Sequence, residues 1–345
     1  MKYMKQDNIF NIRPLGFMWH VANPFIFCAH HRDIYPPGNA DLSPQASLEG
    51  RNIGQDFQLK DGWRMYHGKT IPGFPEHPHR GFETITIVLE GFVDHSDSWG
   101  QAGRYGMGDV QWMTAGEGLQ HSEMFPLLNT DKENPAELFQ LWLNLPKERK
   151  LTKPYFKMLW NEEIPVYKTT DKNGNSSEVK VIAGEINNVR APVPAPDSWA
   201  AFPENNVAVW LIKLDPYAEF TVPASPDKAV KHMYYYRGNA LEIEGVKLAS
   251  GNSFEIRPNT EITLNNGDAQ SYLLLLQGNP IHEPIVQYGP FVMNSQAEIR
   301  QAFDDYNHTQ FGGWPWHRPD MIHPREEKRF AKYADGRIER PNDEM

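Results

Sequence analysis

Apolar residues recur along this chain at two spacings, and the shorter one dominates. Between Leu138 and Leu145, residues Phe139, Leu141, Leu143 and Leu145 alternate with other side chains, which puts them on one face of a strand. The stretches from Val207 to Leu214 and from Met233 to Tyr236 read the same way, and Leu273-Leu274-Leu275-Leu276 reads as a buried strand. Thr84-Ile85-Thr86-Ile87-Val88-Leu89 is a β-rich run ended by Glu90-Gly91. Gly108-Asp109-Val110-Gln111-Trp112-Met113-Thr114-Ala115-Gly116 reads as a turn, a short strand and a second glycine turn. Val166 to Thr170 and Val179 to Ile182 flank Asp171-Lys172-Asn173-Gly174-Asn175, whose Asn-Gly predicts a hairpin. The longer spacing occurs once with conviction. Ser295-Gln296-Ala297-Glu298 is a capping box, and Ile299, Ala302, Phe303 and Tyr306 follow it as an i, i+3, i+4, i+7 stripe. This predicts a helix over 295–306, stopped by Gly312-Gly313. Many short strands without alternating helices predict an all-β chain of barrel or sandwich type with a short C-terminal helix.

Composition narrows this picture. With 345 residues, 40% of them hydrophobic, the chain can bury two cores. Its 28 prolines and 26 glycines favour turns over long helices. A formal net charge of −10 leaves no basic footprint for direct nucleic-acid binding and argues against anionic membranes. No apolar run approaches the roughly 18 residues of a membrane-spanning helix, and the N-terminus carries no apolar targeting segment. The single cysteine, Cys28, cannot form an internal disulfide, and a buried apolar role suits it better than a nucleophilic one. A cytoplasmic location is expected. Ala191-Pro192-Val193-Pro194-Ala195-Pro196 is the clearest linker.

The chemistry gathers in two short stretches. His77-Pro78-His79 precedes the strand at Thr84, and His121-Ser122-Glu123 follows the turn at Gly116. Alternate residues of a strand point to one face, so each pair can aim two side chains into one cavity. Either pair alone is an ordinary surface or core feature in a chain with thirteen histidines. Together, three imidazoles and a carboxylate form a mixed N/O set suited to Fe(II), Mn(II) or another borderline first-row metal. Such a set leaves two octahedral positions open, and Glu123 could accept a proton from a bound hydroxyl as general base. Trp112, Met113 and Phe125 neighbour this stretch and are candidates to line an apolar pocket, with barrel core as their plainer role. Arg80 and Glu83 read as supporting partners or an ordinary ion pair. His95, within Asp94-His95-Ser96-Asp97-Ser98, reads as a loop tip first and a pocket rim second.

At these residues the chain resembles the cupins and, within them, the pirin family. The resemblance is carried by His77-Pro78-His79-Arg80-Gly81-Phe82-Glu83-Thr84, Leu89-Glu90-Gly91, Gly108 to Gly116 and His121-Ser122-Glu123-Met124. It continues in Tyr288-Gly289-Pro290-Phe291-Val292-Met293-Asn294, so it covers most of the chain. It implies a bicupin, two jelly-roll β-barrels in one chain. The expected organisation is a metal-binding barrel over 1–190 that includes the hairpin near 166–182, a second barrel over 197–311, and an extension over 312–345. A faint internal repeat agrees. Val88-Leu89-Glu90-Gly91 is echoed by Tyr235-Tyr236-Arg237-Gly238, and Gly108-Asp109-Val110-Gln111-Trp112 by Gly251-Asn252-Ser253-Phe254-Glu255, with no histidines where His77 and His79 would fall. The second barrel is therefore expected to lack metal ligands. The resemblance further implies iron held by His77, His79, His121 and Glu123, with Mn, Ni, Co, Cu or Zn as alternatives. It implies an activity like that of quercetin 2,3-dioxygenases, which open a flavonol with dioxygen and release carbon monoxide, here with a flavonol or other enol as substrate. It also implies an alternative from another class, a non-enzymatic, metal-dependent regulator that acts as a transcriptional cofactor or binds a protein partner.

Overall fold

The computed structural model describes residues 8–341. The strands assemble into two compact units. One holds Ala29–Glu162 and the chain from Glu283 onward, and is called the first barrel here. The other holds the chain up to Cys28 and Glu163–His282, and is called the second.

The first barrel is built from two antiparallel sheets. A five-stranded sheet runs in the order Tyr155–Leu159, Val110–Thr114, Phe82–Glu90, Asn134–Asn144, Phe25–Tyr35. A six-stranded sheet runs Ile338–Glu339, Phe330–Lys332, Ala102–Gly106, Phe92–Asp97, Leu119–Met124, Gly73–His79. The apolar alternation of the sequence is real, but it marks the face turned away from the second sheet. Ile85 pairs with both Leu141 and Trp112, and Ile87 with Phe139, all fully buried. The opposite face carries Thr84, Thr86, Gln111, Met113, Gln140 and Trp142 toward the Leu119–Met124 strand.

The second barrel has a seven-stranded sheet in the order Ile9–Pro14, Asn252–Ile256, Val230–Arg237, Ser271–Gly278, Ala208–Leu214, Ser176–Ala183, Val166–Thr170. A four-stranded sheet follows the order Glu219–Val222, Ile262–Asn266, Leu241–Ile243, Val246–Leu248. Its core includes Val179, Trp210, Met233, Tyr235, Phe254 and Leu275, each at most 3% exposed.

Three assignments differ from the sequence expectation. The hairpin near 166–182 forms at Asn173-Gly174 as expected, but its inner strand pairs with Ala208–Leu214, so it extends the second barrel rather than the first. Val179 and Val181 are buried in that core, which fixes the choice. The N-terminal strand Ile9–Pro14 pairs with Asn252–Ile256 and likewise leaves the expected 1–190 domain. The helix expected within 197–311 and the described part of the expected 312–345 extension, residues 312–341, both belong to the first barrel. Phe330–Lys332 adds to the strand Ala102–Gly106. Arg104 clamps this addition: it makes a two-pronged pair with Asp94 at 2.7 Å on each prong and donates to the carbonyls of His323, Pro324 and Glu327.

The helix itself spans Gln296–Thr309. Ser295 Oγ accepts from the Glu298 amide at 3.3 Å, and the Glu298 carboxylate receives the Asn294 amide at 3.1 Å. Ile299 and Ala302 are buried against Phe291, Met293 and Phe311, with Phe303 and Tyr306 packed alongside. Among the described residues no helix is long and apolar enough to cross a membrane.

Candidate metal centre

The strands Gly73–His79 and Leu119–Met124 run antiparallel with His77 opposite His121. A bulge between Phe74 and His77 shifts the register just before the histidines. Beyond His79 the chain turns at Gly81, whose φ of +86° and 2.1 Å approach of a built Cβ to the Val292 carbonyl oxygen leave room only for glycine. Lys150, buried, donates to that Gly81 carbonyl at 2.8 Å, to Asn144 at 2.7 Å and to the Val292 carbonyl at 3.1 Å. The end of the His77–His79 strand is thus held from several sides.

One possible ligand atom from each of His77, His79 and His121 lies within 4.8 Å of the others, the one such cluster found among the described residues. His79 and His121 are buried and His77 is half-buried. His77 Nδ1 lies 2.8 Å from the Pro75 carbonyl oxygen and His79 Nδ1 lies 3.3 Å from that of Pro290. A carbonyl only accepts, so each Nδ1 carries the hydrogen and each Nε2 keeps its lone pair. Both nitrogens of buried His121 lack a hydrogen-bond partner, an expensive arrangement unless something binds there. Burial lowers His77 to a pKa of about 4 and holds His79 and His121 well below the usual histidine value, so all three rings stay neutral at physiological pH. Three neutral imidazoles with free lone pairs and an orphaned buried ring are a donor set that fits a divalent first-row ion.

Glu123 stands beside this set, with one oxygen 3.8 Å from His121 Nε2. Thr86 Oγ donates to Oε1 at 3.0 Å and Gln140 Nε2 donates to Oε2 at 2.8 Å. Burial raises its pKa above the ordinary carboxylate value, opposed by His95 and by hydrogen bonds from Thr86, Gln140 and Tyr105.

The three expected pocket residues separate. Met113 faces the inside of the barrel and packs with Ala115 and Leu119. Trp112 is its neighbour on the same strand and so points the other way, opposite Ile85. Phe125 is buried in an aromatic group with His31, Tyr66 and Phe74, and Phe74 in turn lies 6.4 Å from His77. Arg80 pairs with Asp305 at 2.6 Å, while Glu83 accepts from Thr114 at 2.7 Å.

His95 is not on a loop tip. It lies within the strand Phe92–Asp97, fully buried, opposite Glu123 and with its ring 5.6 Å from that of His121. Sequence reasoning also missed Trp142, whose ring is 5.4 Å from His79, and the pair Thr86 and Gln140. The available signal was parity: Gln140 and Trp142 alternate with the apolar residues that defined that strand.

Known proteins match this chain in both of its halves. The family model described as Pirin matches residues 43–143, and the Pirin C-terminal cupin domain matches 209–312. Pirin-1 of Arabidopsis thaliana is 40% identical over 252 residues, covering 70% of this chain and 78% of that protein. A Pseudomonas aeruginosa protein named as a candidate quercetin 2,3-dioxygenase is 38% identical over 243 residues, covering 68% and 79%. Among solved structures, a quercetin 2,3-dioxygenase from Acinetobacter baumannii superimposes with a TM-score of 0.68 at 27% identity, covering 89% of this chain and 98% of that one.

Proposed function

Because the chain belongs to the pirin family and has its bicupin fold, we propose that the first barrel is the centre of an iron(II)-dependent dioxygenase of the quercetin 2,3-dioxygenase type. In this reading His77, His79 and His121 hold the ion, Glu123 completes the set, and the substrate is a flavonol or related enol consumed together with dioxygen. The observation that carries it is the convergence of three neutral imidazoles within 4.8 Å beside a buried carboxylate. A bound ion of this kind supplies Lewis acidity toward an enolic oxygen and, as iron(II), electrons for dioxygen chemistry.

The protein's own groups account for the rest. The carbonyls of Pro75 and Pro290 fix the orientation of His77 and His79. Glu123 would take the proton of the flavonol 3-hydroxyl as general base. Thr86 and Gln140 hold that carboxylate in one orientation. Trp142 and Phe82, with rings 4.3 Å apart, form an aromatic part of the inner wall beside His79. Cys28 is buried and unpaired, which fits a reducing compartment, and we place the protein in the cytoplasm.

The test is quercetin consumption by iron(II)-loaded protein under air and under nitrogen. Consumption under air alone supports the dioxygenase. No consumption under either gas sinks it and gives precedence to a metal-dependent regulatory protein that acts through a protein partner.

A further inference from the structure

Between the strands ending at Tyr35 and beginning at Gly73 lies a long segment without regular helix or strand. Segments of that length inside a compact domain are either disordered or functional. This one is firmly built. Arg51, buried, pairs with Asp56 at 3.0 Å, donates to the carbonyls of Trp63 and Lys60 at 3.0 and 2.8 Å, and lies 3.4 Å over the Trp63 ring. Asp56 and Tyr66 exchange two backbone hydrogen bonds, and Asp56 also accepts from the Met65 amide.

The far end of this segment meets the metal centre. The ring of Phe57 is 5.0 Å from that of His67, His67 is 5.7 Å from Phe74, and Phe74 is 6.4 Å from His77. Buried Tyr66 stacks on Phe74 at 5.2 Å. If these rings merely closed a small core they would be buried. Instead Phe57, His67 and Phe74 are only partly buried, as is His77 alone among the three clustered histidines. Ring contacts thus link the partly exposed histidine of the cluster to a partly exposed aromatic surface. That surface also has a polar handle. His67 Nδ1 lies 2.8 Å from the Gly54 carbonyl oxygen and donates to it, which leaves Nε2 as the nitrogen that can accept.

We propose that Phe57 and His67 are specificity-determining residues. They bind the planar phenolic ring of the substrate beside His77, Phe57 by ring contact and His67 by accepting a hydroxyl hydrogen at Nε2. This rests on the dioxygenase reading for its substrate class, but it is measured by binding and not by turnover.

The experiment titrates quercetin into iron(II)-loaded protein under nitrogen, with dihydroxyfumarate as an enediol that has no ring. Phe57→Ala is expected to weaken quercetin binding about 5- to 10-fold, the order of one aromatic contact. His67→Ala is expected to weaken it about 5-fold, the order of one hydrogen bond. Phe57→Tyr should bind quercetin as the unaltered protein does. Iron content and dihydroxyfumarate binding should be unchanged throughout. The proposal is overturned if both alanine variants bind quercetin normally, if the unaltered protein binds none, or if dihydroxyfumarate binding falls in parallel. If quercetin binds under nitrogen in the pattern expected but is not consumed in air, the ring platform stands and the dioxygenase reading fails.

Discussion

Replacing Glu123 by glutamine separates the two roles assigned to that carboxylate, and the structure indicates how well the variant will fold. As a carboxylate, Glu123 only accepts: Oε1 from Thr86 at 3.0 Å and Oε2 from Gln140 Nε2 at 2.8 Å. Thr86 Oγ also lies 2.5 Å from Gln140 Oε1, and one hydroxyl hydrogen cannot serve both oxygens. A glutamine at 123 can keep its oxygen toward Gln140 Nε2 and turn its amide toward Thr86, whose hydrogen then goes to Gln140 Oε1. The contacts to Thr86 and Gln140 are kept, so the stability change should remain within about 1 kcal/mol, the scale of a single hydrogen bond. His77, His79 and His121 are untouched, and iron should bind more weakly but still bind. Turnover is the quantity that must collapse. A general base is typically worth about 100- to 10,000-fold, and an amide offers no replacement. The assay is quercetin consumption in air at matched iron content. Full turnover by Glu123→Gln with normal iron would refute the proton-accepting role.

Other consequences follow from the same structure. His79→Ala should abolish iron binding and activity together, because it removes one of three clustered ligands; elemental analysis that still finds a full equivalent would contradict the site. The histidines titrate below the ordinary range, His77 at about 4, so protons compete with metal only in fairly strong acid. Iron retention measured against pH should therefore hold through pH 6, and half-release near the ordinary histidine value of about 6.5 would count against neutral, buried ligands. Arg104→Met should cost about 3–5 kcal/mol, because it strands fully buried Asp94 and unhooks the carbonyls of residues 323–327. Urea unfolding and protease cutting near residue 323 would show this, and an unchanged midpoint would mean that the clamp is not stabilising.

The sequence carried much of this, and where it fell short the reasons are physical. Short-range signals were reliable: the Asn173-Gly174 hairpin and the Ser295 cap are local chemistry and appear where expected. The clustering of His77 and His79 with His121 was legible because His-x-His on a strand fixes both side chains to one face. Partner choice was not legible. The 166–182 hairpin and the Ile9–Pro14 strand look alike whichever sheet receives them, and only long-range burial of Val179, Val181 and Ile9 decides. The inner wall escaped notice because apolar periodicity picks out the face most starved of water, and here Gln140, Trp142 and Thr86 occupy the other one. His95 was misplaced because Asp-His-Ser-Asp-Ser has turn-like composition, although Asp94 to Asp97 are buried within a strand.

In the proposed reaction one metal ion in the first barrel couples dioxygen to a flavonol. It is tested most directly by titrating iron(II) into metal-free protein and following dioxygen uptake with quercetin present. Uptake should rise linearly and break at one iron per chain, with no rise in a variant carrying both His77→Ala and His121→Ala. A break at two irons per chain, equal uptake by that variant, or no uptake at full iron loading would contradict it.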